Sequence, residues 1–197
     1  MLLAAACATP VAIKTVAPAF PKPLTPVSDG RARDLPVVVR VLVSAQGTVS
    51  DASIAQTTGI PILDDAAVIA VKQWQFQPSA SPCTSIPYGV EVTFAQVDVP
   101  KAYDACNHDV FPVVQAVPYY PDAARGLSLG RMKAIVEVTV DQSGAVTQAL
   151  IAQSANNTSL NQVSLDAARD SVYAPKFVGC KAAPGRYNFV VEFDPYS

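Results

Sequence analysis

Charge is scarce in this chain. Of its 197 residues only 15% are Asp, Glu, Lys or Arg, the 14 basic residues are matched by 16 acidic ones, and no basic run occurs. Phosphate neutralisation needs clustered Lys and Arg, so nucleic acid is excluded as a partner class. Histidine is scarcer still, because His108 stands alone. A Ser-His-Asp triad could be built only on that residue, which reads as a surface-loop histidine beside Cys106. Cys106-Asn107-His108-Asp109 brings one His and one Asp, short of the three or four ligands a metal needs. A phosphate loop is missing too: the stretch from Gly126 to Gly130 lacks the following Lys and Ser or Thr, and leads into a strand. The 13 Asp and 3 Glu contain no pair that stands out for glycoside hydrolysis. No enzymatic activity, metal or cofactor is expected. Long apolar runs are absent as well. With nothing near the roughly 18 residues that a spanning helix requires, no transmembrane span is expected.

What remains is an apolar, proline-rich chain. Half the residues are hydrophobic and 17 are Pro, enough for one sizeable core or two small ones, with a composition like that of exported β-rich domains. Residues 1–8 read as the remnant of an export signal, with an Ala-rich stretch before Cys7. The same stretch is a poor match to a lipoprotein site, in which Cys7 would be acylated.

The strongest signal is an internal repeat. At an offset of 97, Val39, Val41 and Val43 fall on Val136, Val138 and Val140, and Gly47 and Val49 on Gly144 and Val146. Ile54-Ala55-Gln56 falls on Ile151-Ala152-Gln153, Leu63 on Leu160, Phe76 on Tyr173, Pro78 on Pro175 and Cys83 on Cys180. With short gaps, Ala6-Cys7 meets Ala105-Cys106 and Phe20-Pro21 meets Tyr120-Pro121. Cys7 and Cys83 lie 76 residues apart, Cys106 and Cys180 lie 74 apart. Those matched spacings favour Cys7 with Cys83 and Cys106 with Cys180 among three connectivities. Such bonds imply an oxidising compartment and roughly 4 kcal/mol of stabilisation each. Acylation of Cys7 and four reduced thiols are the competing readings.

Each copy carries the same elements. Val37 to Ser44 and Val136 to Val140 alternate as half-buried strands, and Gly47 and Gly144 close short hairpin loops into strands Val49–Gln56 and Val146–Gln153. Leu63, Ala66, Ala67, Ala70, Val71 and Trp74 follow helical spacing. So do Leu160, Val163, Ala167 and Ser171, with Ser159 and Gln162 as a capping box at the start. Pro78 and Pro175 are expected to end the helices. Pro121 to Gly126 suggests one extra helical turn. Val90–Phe94 and Tyr187–Phe193 are the closing strands. The expected fold is α+β: two tandem units, residues 7–98 and 99–197, each a three-stranded antiparallel sheet packed with one amphipathic helix.

These residues resemble the TonB C-terminal domain. The second copy contributes Tyr120-Pro121, Ala124-Arg125-Gly126, Gly130, Val136 to Val140, Gly144, Val146, Ser154, Leu160, Ala167-Ala168-Arg169, Tyr173 and Pro175. In the first, Gly47, Val49, Gly59, Leu63-Asp64, Ala66-Ala67, Ala70-Val71, Trp74, Phe76 and Pro78 match the family's L-D-x-A-A-x-x-A-V-x-x-W-x-F-x-P run. Ser171 replaces the family's Trp in the second copy. The resemblance implies a periplasmic, non-enzymatic module for energised transport. Its partner would be an outer-membrane TonB-dependent receptor or another envelope protein, and a receptor segment, the TonB box, would add as a strand. The family's transducers also carry a membrane helix and a Pro-rich stalk, which this sequence does not include, so the chain alone is not expected to transmit force. Candidate docking residues are Tyr119, Tyr120 and Pro121 with the closing strand Tyr187, Asn188, Phe189, Val190, Val191, Glu192 and Phe193, or Val90–Phe94 in the first copy. The alternative is a structural envelope protein whose two domains pack on each other without docking a receptor.

Overall fold

A computed structural model describes residues 9–26, 32–78, 85–125 and 130–194, and the chain separates into two units, residues 1–101 and 102–197. The expected signal remnant and the Cys7–Cys83 pair lie outside the described residues. In the first unit the order is β1 (Ala12–Lys14), β2 (Ala32–Ser44), β3 (Val49–Gln56), α1 (Pro61–Val71), β4 (Gln75–Phe76) and β5 (Ser85–Asp98). The second unit runs β6 (Phe111–Val114), α2 (Asp122–Arg125), β7 (Met132–Val140), β8 (Val146–Gln153) and α3 (Thr158–Asp170). It continues with β9 (Val172–Ala174), β10 (Lys176–Val178), β11 (Lys181–Ala183) and β12 (Gly185–Phe193). The architecture is mixed α+β, and every strand pair is antiparallel.

Alternation builds the main sheet of each unit. In the first, ordered β3-β2-β5, Val37, Val39, Val41 and Val43 are buried on β2 while Arg40 is exposed. Val90, Val92 and Phe94 of β5 join them beneath Leu63, Ala67 and Val71 of α1. The second sheet is ordered β12-β7-β8. There Val136, Val138 and Val140 share a core with Phe189, Val191 and Phe193 and with Leu160, Val163 and Ala168 of α3. Burying each such Val, Leu or Phe side chain stabilises the fold by about 1.5–3 kcal/mol.

The chain ahead of each sheet completes the inner layer. In the first unit β1 pairs with β4, and the Phe20 ring meets Phe94 edge-on at 5.5 Å. In the second, β6 pairs with β9 and Tyr120 meets Phe193 edge-on at 6.0 Å. Helix α3 packs over β7 and β8, whereas Ala116 and Tyr120 of the lead-in pack on the shared core.

The hairpin glycines are required by both conformation and space. Gly47 and Gly144 have φ +83° and +90°, and a Cβ would lie 1.9 Å from the Phe76 carbonyl oxygen and 2.4 Å from that of Tyr173. Thus the loop of each hairpin rests on the backbone of the short strand after the helix.

Several local expectations are corrected. Strand β2 begins at Ala32, well before Val37. Pro36 is tolerated there because β3 pairs with β2 only from Val38 onward. The helices stop at Val71 and Asp170, ahead of Pro78 and Pro175, which instead follow β4 and β9. Ser171 is already extended, with φ −75° and ψ 149°. The start of α3 is capped by Asn157, whose side chain accepts from the Leu160 amide at 3.0 Å. Ser159 lies inside the helix, and Gln162 donates to Asp166 at 2.9 Å, so the expected capping box is not formed. The expected turn after Pro121 is α2. Among the described residues no helix is long and apolar enough to cross a membrane.

Candidate functional site

Which backbone groups face outward on each closing strand follows from the hairpins. In β2, the Ser44 amide donates to Thr48 O at 2.8 Å and Leu42 O accepts from Ser50 Oγ at 3.0 Å, so even-numbered residues turn toward β3. Odd-numbered residues therefore face β5. In the second unit, the residue after β7, Asp141, donates its amide to Ala145 O at 2.9 Å, and Thr139 O accepts from Thr147 Oγ1 at 3.2 Å. Odd-numbered residues of β7 thus face β8, and Ala134, Val136, Val138 and Val140 face β12.

Register then sorts β12. Val140 pairs with Gly185, Val138 with Tyr187, Val136 with Phe189, Ala134 with Val191 and Met132 with Phe193, without a shift over the whole strand. Those odd-numbered residues exchange hydrogen bonds with β7 and bury or half-bury their side chains. Arg186, Asn188, Val190 and Glu192 send their N–H and C=O groups away from β7, and among the described residues no strand pairs with them. Of the expected docking residues, Asn188, Val190 and Glu192 present free-edge backbone. Tyr187, Phe189, Val191 and Phe193 hold the strand in place.

A groove of about 460 Å³ lies beside this edge. One wall is Val190 to Asp194 and the other is Gln115 to Pro118 with Tyr120. Tyr120 is half-buried against Phe193, Pro121 is buried, and Tyr119 is 71% exposed. Val117 and Val190, at 89% and 41%, add exposed apolar surface. The structure thus brings Tyr120 to the closing strand. Missing from the sequence reading were Gln115 to Pro118 and Arg186. The apolar alternation Phe189, Val191, Phe193 was the signal that could have placed Arg186 in the outward set.

Electrostatics at the edge are balanced. Arg186 Nη1 lies 3.4 Å from Glu137 Oε1 and Arg131 Nε 3.1 Å from Asp194 Oδ2, both exposed pairs of small energetic weight. Tyr187 packs at 5.9 Å on Tyr173, whose hydroxyl donates to Ala168 O at 2.9 Å. Burial raises both phenols, Tyr173 to about 12, so both rings stay neutral at physiological pH.

The remaining chemistry-bearing residues are structural. Cys106 and Cys180 form a disulfide. It fastens the start of the lead-in to the turn between β10 and β11, where Cys180 N donates to Cys106 O at 2.9 Å and Gly179 N to Asn107 Oδ1 at 3.0 Å. His108 is not a bare loop residue. It exchanges backbone hydrogen bonds with Phe177 and stacks on that ring at 5.1 Å, with Tyr103 and Phe111 at 5.1 and 5.3 Å. Trp74, half-buried, donates from Nε1 to Val16 O at 2.8 Å and anchors the first lead-in.

Residues 31–95 match the family described as Gram-negative bacterial TonB protein C-terminal. The matched stretch runs from the start of β2 into β5 and includes the hairpin, α1 and Trp74, so the match supports the TonB C-terminal family for the first unit's sheet. No curated protein sequence and no solved structure matches the chain.

Proposed function

We propose that this chain is a non-enzymatic, TonB-like interaction protein of the Gram-negative periplasm, built of two tandem TonB-C-like units. In this reading it binds an outer-membrane TonB-dependent receptor by taking the receptor's TonB box as an added strand. The observation that carries the reading is the unbroken outward edge of β12, flanked by a groove with exposed apolar walls. Strand addition draws affinity from backbone hydrogen bonds and selectivity from neighbouring side-chain pockets, and this edge offers both. The family match in the first unit and the Cys106–Cys180 disulfide support export to an oxidising envelope compartment.

Calorimetric titration of the oxidised chain with synthetic TonB-box peptides tests the proposal. Saturable binding, with amide signals of Arg186, Asn188, Val190 and Glu192 shifting on titration, is the expected result. A folded chain that binds none of the peptides would overturn receptor docking and favour a structural envelope role.

A further inference from the structure

Among the described residues the two main sheets leave four outer edges, and three of them carry a bulge or a proline. Strands β3 and β8 are each bulged twice against their partners, at equivalent places: the register slips between Val38 and Val39 and between Leu42 and Val43 in one unit, and between Ile135 and Val136 and between Thr139 and Val140 in the other. Bulges of this kind twist an edge away from further pairing. Strand β5 is bulged where its register slips between Arg33 and Leu35, next to Gln96 at φ +58°. It also contains Pro87.

The position of Pro87 decides what it does. It pairs with Leu42, an even-numbered residue of β2 whose carbonyl faces β3, so the proline nitrogen points away from the sheet. The ladder with β2 therefore loses nothing. The outward edge loses a donor, and the pyrrolidine ring stands where an incoming strand would lie. Register places Arg186 at the equivalent point of the second unit, because Leu42 pairs with Pro87 and Thr139, its repeat counterpart, pairs with Arg186. Arg186 keeps its N–H.

We infer that the second unit alone docks the receptor segment, and that Pro87 closes the first unit to it. This rests on the strand-addition reading above, and it assigns the two copies different tasks. The occupant that fits β12 is an extended receptor segment with apolar side chains toward the groove, whose two walls expose Val117 and Val190.

Exchanging the two residues tests the assignment in the full chain, with calorimetry against TonB-box peptides. The unaltered chain is expected to bind one peptide. Arg186→Pro should weaken binding by about tenfold or more. Arg186→Ala, which loses the Glu137 pair but keeps the N–H, should weaken binding far less than Arg186→Pro. Pro87→Arg should add a second bound peptide. Asn188→Pro serves as a further block at another outward position, and near-UV circular dichroism checks that each variant is folded. Two peptides on the unaltered chain, full binding by folded Arg186→Pro and Asn188→Pro, or no second peptide on Pro87→Arg would overturn the assignment while leaving receptor docking standing. Absence of binding by the unaltered chain and by Pro87→Arg would overturn docking and the assignment together.

Discussion

The two units solve the same backbone problems with different side chains. In the first turn of α1, Asp64 accepts from the Thr58 amide at 2.8 Å and from the hydroxyls of Thr57 and Thr58. At the equivalent place in the second unit Asn161 accepts from the Ala155 amide, also at 2.8 Å, and its own amide donates to Ser154 Oγ. After the helix, Trp74 in one unit donates to Val16 O, whereas Ser171 in the other accepts from the Ala116 amide at 3.0 Å and donates to Ala167 O. The residue type changes, and the lead-in is tied down in both. What both units retain is the satisfaction of particular backbone groups, because an unpaired buried N–H or C=O costs about as much as a lost hydrogen bond.

The largest expected difference is covalent. Reducing Cys106–Cys180, which closes a sequence separation of 74, should destabilise the second unit by about 4 kcal/mol in the chain-entropy account. Urea unfolding of the Cys106→Ser, Cys180→Ser variant checks this, and an unchanged midpoint for the second unit would count against it. Next come the hairpin glycines. Gly47→Ala and Gly144→Ala are each expected to cost about 3 kcal/mol or more from positive φ and backbone overlap, with Gly47 the worse because its Cβ would lie closer to the carbonyl.

Smaller effects sharpen the contrast. Trp74→Ala should cost about 3 kcal/mol at most, since the ring is only half-buried, and Ser171→Ala about 1 kcal/mol for its hydrogen bonds. The smallest is the pH dependence that Asp64 contributes in the first unit. Burial holds the Asp64 carboxyl above its ordinary value of 3.8, against the opposing pull of the Thr57 and Thr58 hydrogen bonds and with a minor push from Asp65. The folded state therefore holds this proton more tightly than the unfolded chain. The stabilising contribution is full below the unfolded pKa and is lost as pH rises through the raised folded value. Asp64→Asn, which copies the second unit, should flatten that slope in urea midpoints taken at acidic and neutral pH. A slope of the same size in the variant would assign it to other groups.

Much of this comparison could be read in the sequence, and the gaps have physical causes. Strands β3 and β8 fall at the expected residues because each returns through a glycine loop from a strand whose Val residues alternate. Strand β2 was read short because Pro36 interrupts the alternation, and only the missing β3 partner at that end makes the proline harmless. The short ladders β1 with β4, β6 with β9 and β10 with β11 carry two to four residues per strand, too few for periodicity to register. At the docking edge, Tyr187–Phe193 was visible as a strand. Which of its residues point outward depends on the neighbouring hairpin's hydrogen bonds, and the groove depends on a lead-in with no pattern of its own.

The strand order also sets a schedule for assembly. The central strands β2 and β7 gain one neighbour locally, through a short hairpin, and the other only from the last strand of the unit. Contacts this distant in sequence form late and slowly. A chain emerging from its N-terminus can form the hairpin and helix first, while the inner faces of the lead-in and central strand wait for β12. Cys180 precedes β12, so the Cys106–Cys180 bond can close before the final strand arrives and hold the lead-in in place to receive it.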